Sequence, residues 1–163
     1  MRTRLYPVVA ILLLTATPFA AQPRRDALVF ITSRSQTTTS LSTAELRNIF
    51  LGRTTRWKNG RRILVIVRPA TTPAGRDFLD RVVRMSEIDF SQDWLAAVFR
   101  GQVSSAPRVV ASTDAVRKAI AGNANAIAFV LRSELVVEDE TSIRILAVDG
   151  KTPDDASYPF VTR

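Results

Sequence analysis

The sequence predicts an α/β domain with a mixed, mostly parallel sheet flanked by helices, and three observations carry that prediction. Short apolar runs rich in β-branched residues recur at residues 27–32, 63–67, 126–131 and 143–148, bounded by turn formers, as buried strands require. Between them lie segments with apolar residues at three- and four-residue spacing, opened by Ser or Thr and closed near Gly. The two kinds of segment alternate, which is the pattern of strands joined by helical crossovers.

The first 21 residues stand apart. Arg2 and Arg4 precede an apolar run from Leu5 to Leu14, followed by Pro18 and small residues, the order of a secretory signal peptide. The run is short for a membrane span and carries Pro7. The expectation is therefore a signal peptide over residues 1–21 and one domain over 22–163, periplasmic, with no stable membrane insertion after cleavage. The chain has no cysteine, so neither a disulfide framework nor a lipid-bearing cysteine is available. Its 46% hydrophobic content is that of a globular protein. The formal charge of +8 falls to +6 once Arg2 and Arg4 are removed, an excess that acts as a general field.

Residues 27–32 read as the first strand, and the polar stretch 33–40, with three consecutive threonines, as a loop whose hydroxyls are solvated or face a ligand. Ser42 and Glu45 have capping-box spacing, Leu46, Ile49 and Phe50 share one helical face, and Gly52 suits the helix end. Trp57 to Gly60 is a turn containing Asn-Gly. Residues 63–67 form a strand that ends in Arg68. A helix over 74–85, with Pro73 near its first position, turns Phe78, Leu79, Val82 and Val83 inward and pairs Asp77 with Arg81 and Asp80 with Arg84. Ser91 is expected to cap the next helix, with Trp94, Leu95, Val98 and Phe99 as its apolar face and Gly101 as its end. Trp57 and Trp94 are read as core residues. A strand at 108–111 leads to a helix capped by Ser112 that buries Val116, Ala119 and Ile120, and the acidic run Glu138 to Glu140 reads as a solvated turn.

Function is sought at the turn after the strand at residues 63–67. Arg68, Thr71 and Thr72 stand where a strand passes into a helix, and a guanidinium, hydroxyls and free helix-start amides suit an oxyanion. The alternative is that Thr72 merely caps the helix and Arg68 is a solvated strand end. Ligands of open α/β sheets sit at strand carboxyl ends, which is where this turn lies.

The stretch IFLGRTTRWKNGRRILVIVRPATTPAGRDF resembles the phosphate-binding subunit of bacterial phosphate ABC transporters: a Leu-Ser start, a Phe-Leu-Gly helix end, a Trp near a Gly, then an apolar strand ending in Arg. Ser112 to Ala115, the strand from Asn125 to Val130, and the tail from Val148 to Pro153 with Tyr158-Pro159 continue the similarity in the same order. The resemblance implies a type II periplasmic-binding-protein fold, of which this chain has the length of a single lobe. It implies a ligand site at Arg68, Thr71, Thr72 and Ala74. Where the family has a Ser-Gly-Thr cradle this chain has Thr72, Pro73 and Ala74, so one amide donor and one hydroxyl are missing. The implied partners are phosphate or a similar oxyanion, and an ABC permease or a second lobe supplied by another chain.

Catalysis is not expected. Histidine and cysteine are absent, and no nucleophile elbow, Walker loop or dinucleotide fingerprint occurs. No cofactor and no metal site is expected. The readings left are an exported oxyanion-binding component or accessory of phosphate transport, a ligand-free single-lobe protein-interaction module, and a basic polyanion binder. Nucleic acid is not expected as a partner, because the arginines are dispersed along the sequence rather than interleaved with aromatics.

Overall fold

In the computed structural model, which describes residues 26–162, the strands are β1 (Leu28–Ser33), β2 (Ser40–Leu41), β3 (Leu64–Val67), β4 (Arg108–Val109), β5 (Ala126–Leu131), β6 (Ile143–Ile145) and β7 (Ala147–Val148). The helices are α1 (Thr43–Phe50), α2 (Pro73–Asp77), α3 (Glu87–Phe99) and α4 (Thr113–Ala121). The expected signal peptide lies outside the described residues.

Five strands form one sheet in the order β4-β3-β5-β1-β6, and β2 and β7 form a separate parallel pair. β3 runs parallel to both β4 and β5, while β1 runs antiparallel to β5 and β6. Four of the five strands therefore point one way. The carboxyl ends of β3, β4 and β5 meet along one edge of the sheet, beside the amino end of β1, which pairs Leu28 with Leu131.

β1 and β5 are buried on both faces, as the apolar runs 28–31 and 126–131 require, and the Thr32 hydroxyl at the end of β1 donates to the Ala126 carbonyl at 2.8 Å. Phe30 of β1 lies opposite Phe129 of β5. On one side Phe78 stacks flat against Phe129, with ring centroids 4.2 Å apart, and Phe50 of α1 meets both edge-on. This aromatic cluster fastens α1 and the segment after α2 to the sheet centre, each aromatic contact adding roughly 0.5–1.5 kcal/mol to the area it buries.

Local chemistry accounts for the helix starts. The Ser42 amide donates to the Glu45 carboxylate at 2.8 Å and the Glu45 amide to the Ser42 hydroxyl at 3.1 Å, the reciprocal pair expected of a capping box. These bonds from the Ser42 amide and hydroxyl hold the Glu45 carboxyl below its usual range. α2 passes into a π-helical segment, Phe78–Val83, that ends at Arg84 in the left-handed conformation (φ 55°). The wider turn brings all four expected apolar residues inward, and the Asp77–Arg81 ion pair forms at 3.7 Å.

Three expectations are corrected. α3 is capped by Ser86 and not by Ser91, and its buried face is Phe90, Trp94 and Ala97. Leu95 and Phe99 consequently point outward, 56% and 82% exposed. The segment is apolar on two faces, so spacing alone did not choose between them. The run 143–148 is two strands in two sheets, because the Leu146 amide still bonds to Phe30 while the next residues turn to meet β2. The acidic run is partly structural, since the Asp139 carboxylate forms an ion pair with Arg117, 3.3 Å from its Nε.

Two outcomes test this packing. Phe129→Ala removes the flat ring contact and is expected to lower stability by about 3–5 kcal/mol in urea unfolding. Burial pushes the Tyr158 hydroxyl, which donates to the Leu28 carbonyl at 3.1 Å, above its ordinary pKa. Its contribution is then full below the unfolded-state value of roughly 10 and declines as pH rises above it. Tyr158→Phe should therefore flatten the loss of thermal stability on the alkaline side of pH 10.

Candidate functional site

The carboxyl ends of β3, β4 and β5 place three side chains together. Arg68 follows β3 directly, Thr113 opens α4 after β4, and Glu134 follows β5. The Arg68 side chain is buried, 5% exposed, at the end of an apolar strand that carries it inward. Its Nη1 donates to the Thr113 hydroxyl at 2.9 Å and to both Glu134 carboxylate oxygens at 3.2 Å. Thr113 in turn donates to Glu134 at 2.8 Å, and the Leu131 amide donates to the other oxygen at 2.8 Å. One carboxylate thus accepts from a guanidinium, a hydroxyl and a backbone amide, which is the donor set an oxyanion would use. Arg68 Nε is buried without a partner.

The turn after Arg68 is closed on itself. The Thr72 hydroxyl donates to the Pro69 carbonyl at 2.8 Å and accepts from the Gly75 amide at 3.1 Å, so it caps α2. The Thr72 amide bonds to the Pro69 carbonyl, and the Ala70 amide donates to the Glu87 carboxylate at 3.1 Å. Pro73 supplies no donor. Gly75 is required by this compactness: a Cβ there would lie 2.1 Å from the Pro69 carbonyl oxygen.

The structure therefore keeps Arg68, Thr71, Thr72 and Ala74 in one turn but gives them different environments. Arg68 reaches across to Thr113 and Glu134, Thr72 is spent on the cap, Thr71 is exposed, and the Ala74 methyl is fully buried in the core. Among the described residues no hydrogen bond joins Arg68 to Thr72. Beside them a cavity of about 150 Å³ is lined mainly by apolar groups, Phe78, Phe90 and Trp94 among them, with Glu87 at its margin.

Glu134 and Glu87 were not singled out in the sequence, and Thr113 entered only as part of the Ser112 to Ala115 helix start. A signal for one of them existed. Residues 46–76 hold eight cations and no acid, so a buried Arg68 has to draw its counter-charge from another strand end. Thr113 directly follows Ser112, the cap of α4.

Comparison with solved structures bears on the fold. The chain superposes on a candidate phosphate ABC transporter substrate-binding protein with bound phosphate from Clostridium perfringens (TM-score 0.61, 18% identity, 78% of this chain and 47% of that one). It matches an ABC-type phosphate transport receptor from Vibrio cholerae (0.60, 16%, 78% and 48%) and PstS from Borrelia burgdorferi (0.60, 21%, 78% and 49%) similarly. At these identities the likeness establishes the fold, that of a periplasmic-binding-protein-like α/β unit. The chain spans about half the length of the solved structures it matches. No family model and no curated protein matches it. No helix of the described residues is long and apolar enough to cross a membrane.

The closed turn carries its own test. Gly75→Ala must push the added methyl against backbone, and is expected to cost at least about 1–3 kcal/mol in chemical unfolding, as overpacking does.

Proposed function

We propose that this chain is an exported oxyanion-binding component or accessory of phosphate transport, corresponding to one lobe of a two-lobed receptor, and that Arg68 is its ligand-binding cation. The observation that carries the reading is the donor set around Glu134. Arg68, Thr113 and the Leu131 amide converge on one anionic group at the strand ends, and a phosphate oxygen asks for the same donors. In this reading Thr71, Thr72 and Ala74, in the turn that follows Arg68, are the further ligand-binding residues. The names of the structural neighbours support phosphate as the oxyanion. Binding without chemistry fits a neighbourhood of transport receptors and a sequence without histidine or cysteine.

In this reading Glu134 is a resident competitor. Phosphate binds by displacing the carboxylate from Arg68, and affinity is reduced by the work of breaking that pair. A second lobe, supplied by another chain, completes the contacts, and an ABC permease is the downstream partner. The periplasm is the compartment, given the leader-like residues 1–21.

A second reading has its own observation. Glu134 on the guanidinium and Glu87 on the Ala70 amide already fill two donor positions of the turn. A chain so filled would be a ligand-free single-lobe module that meets other periplasmic proteins.

Calorimetry of residues 22–163 with inorganic phosphate separates the two. The first reading expects binding by the parent chain, binding at least about tenfold tighter in Glu134→Gln, and no binding in Arg68→Ala that folds by circular dichroism; tenfold corresponds to about 1.4 kcal/mol. No heat from either the parent or Glu134→Gln at millimolar phosphate overturns it and leaves the second.

A further inference from the structure

A different groove lies at the opposite end of β3 from Arg68. It encloses about 340 Å³ between the segment after α1, the first residues of β3 and the loop before β4. Its rim is cationic and hydroxylic, with Arg56, Arg62, Thr54, Thr55, Ser104 and Ser105, all of them exposed. Its inner wall is apolar, including Ile63, Val103 and the Trp94 ring, which packs over Gly52 and leaves no room there for a side chain. No acidic residue lines it.

Arg56 and Arg62 are direct cross-strand partners in an isolated antiparallel bridge. Like charges placed opposite each other destabilise such a pairing. Arg56 donates one bond to the Gly60 carbonyl at 2.7 Å, and Arg62 makes no ion pair or side-chain hydrogen bond with the described residues. The surrounding sequence offers no compensation, because residues 46–76 contain no acid. Two unneutralised guanidiniums, four hydroxyls and an apolar wall therefore face one space of ligand size.

We infer that this groove is a binding site for a small organic anion, with its acidic group held by Arg56 and Arg62 and its apolar body laid against Ile63, Val103 and Trp94. The guanidiniums supply charge-assisted hydrogen bonds to the oxyanion. The wall rewards an apolar substituent by roughly 25 cal/mol per Å² that it covers. Inorganic phosphate, which has no such part, is a poor ligand here. The groove shares Trp94, Ala106 and Pro107 with the cavity beside Arg68, but Arg56 and Arg62 lie toward the opposite end of β3 from the Arg68 guanidinium, so the inference does not depend on the Arg68 site.

The test is calorimetry of residues 22–163 with phenyl phosphate, inorganic phosphate and phenol. In Arg68→Ala, which removes the other proposed phosphate site, phenyl phosphate is expected to bind more tightly than either fragment. The double variant Arg56→Gln/Arg62→Gln, both exposed positions that circular dichroism should show to be folded, is expected to lose at least about tenfold in affinity, or 1.4 kcal/mol. Arg68→Ala, which alters only the far end of β3, should retain it. Phenyl phosphate binding to Arg68→Ala no better than inorganic phosphate does, affinity unchanged in the double variant, or affinity for phenyl phosphate lost in Arg68→Ala would each overturn the inference. So would silence towards phenyl phosphate combined with salt-sensitive binding of heparin, which would make the arginines a general polyanion surface.

Discussion

A guanidinium that a strand carries into the interior must be given a negative partner, and in this protein that requirement shapes the edge where strands end. Arg68 closes a run of apolar residues, and nothing within the surrounding 31 residues, 46–76, bears a negative charge. Leaving it unpaired would cost far more than the marginal stability of a domain permits. Glu134, brought from β5, meets it, and Thr113 from the start of α4 bonds to both. Three segments distant in sequence are thereby tied at one point. The parallel alignment of β3 with β5 makes the meeting possible, since it sets their carboxyl ends side by side.

The same arrangement defines what the site can do. A carboxylate on the guanidinium makes the edge neutral and ordered without a ligand, and any oxyanion has to outcompete a group that is already tethered. The neighbouring turn is equally self-sufficient, with Thr72 committed to the cap and the Ala70 amide to Glu87. The solved structures it resembles are about twice as long, so half of such a fold is present here. By contrast, the groove at the other end of β3 keeps its cations unneutralised. Charge in this molecule is settled at one end of the strand and open at the other.

Much of the fold was legible because its signals are local. Ser42 with Glu45 fixed a helix start, and the apolar run 126–131 fixed a buried strand. Thr72 and Pro73 marked the start of α2, and Arg68 marked a strand end in need of explanation. The illegible parts depend on contacts across the chain. Leu95 and Phe99 misled because α3 is apolar on two faces and only packing decides which is buried. The 143–148 run broke in two because its halves pair with different sheets. Glu134 was hidden for the same reason: its role exists only once β3 and β5 are neighbours. The clustering of Arg56 and Arg62 was likewise invisible in a sequence where arginines look scattered, until the bridge across the Asn59-Gly60 turn set them opposite each other.

The most direct measurement of the central claim is a crystal structure of residues 22–163 grown at saturating phosphate. A phosphate within hydrogen-bond distance of the Arg68 guanidinium and Thr113 is expected, with the Glu134 carboxylate moved away from both. A structure in which Glu134 keeps its bonds to Arg68 and Thr113, with no phosphate at the ends of β3 and β5, would contradict it.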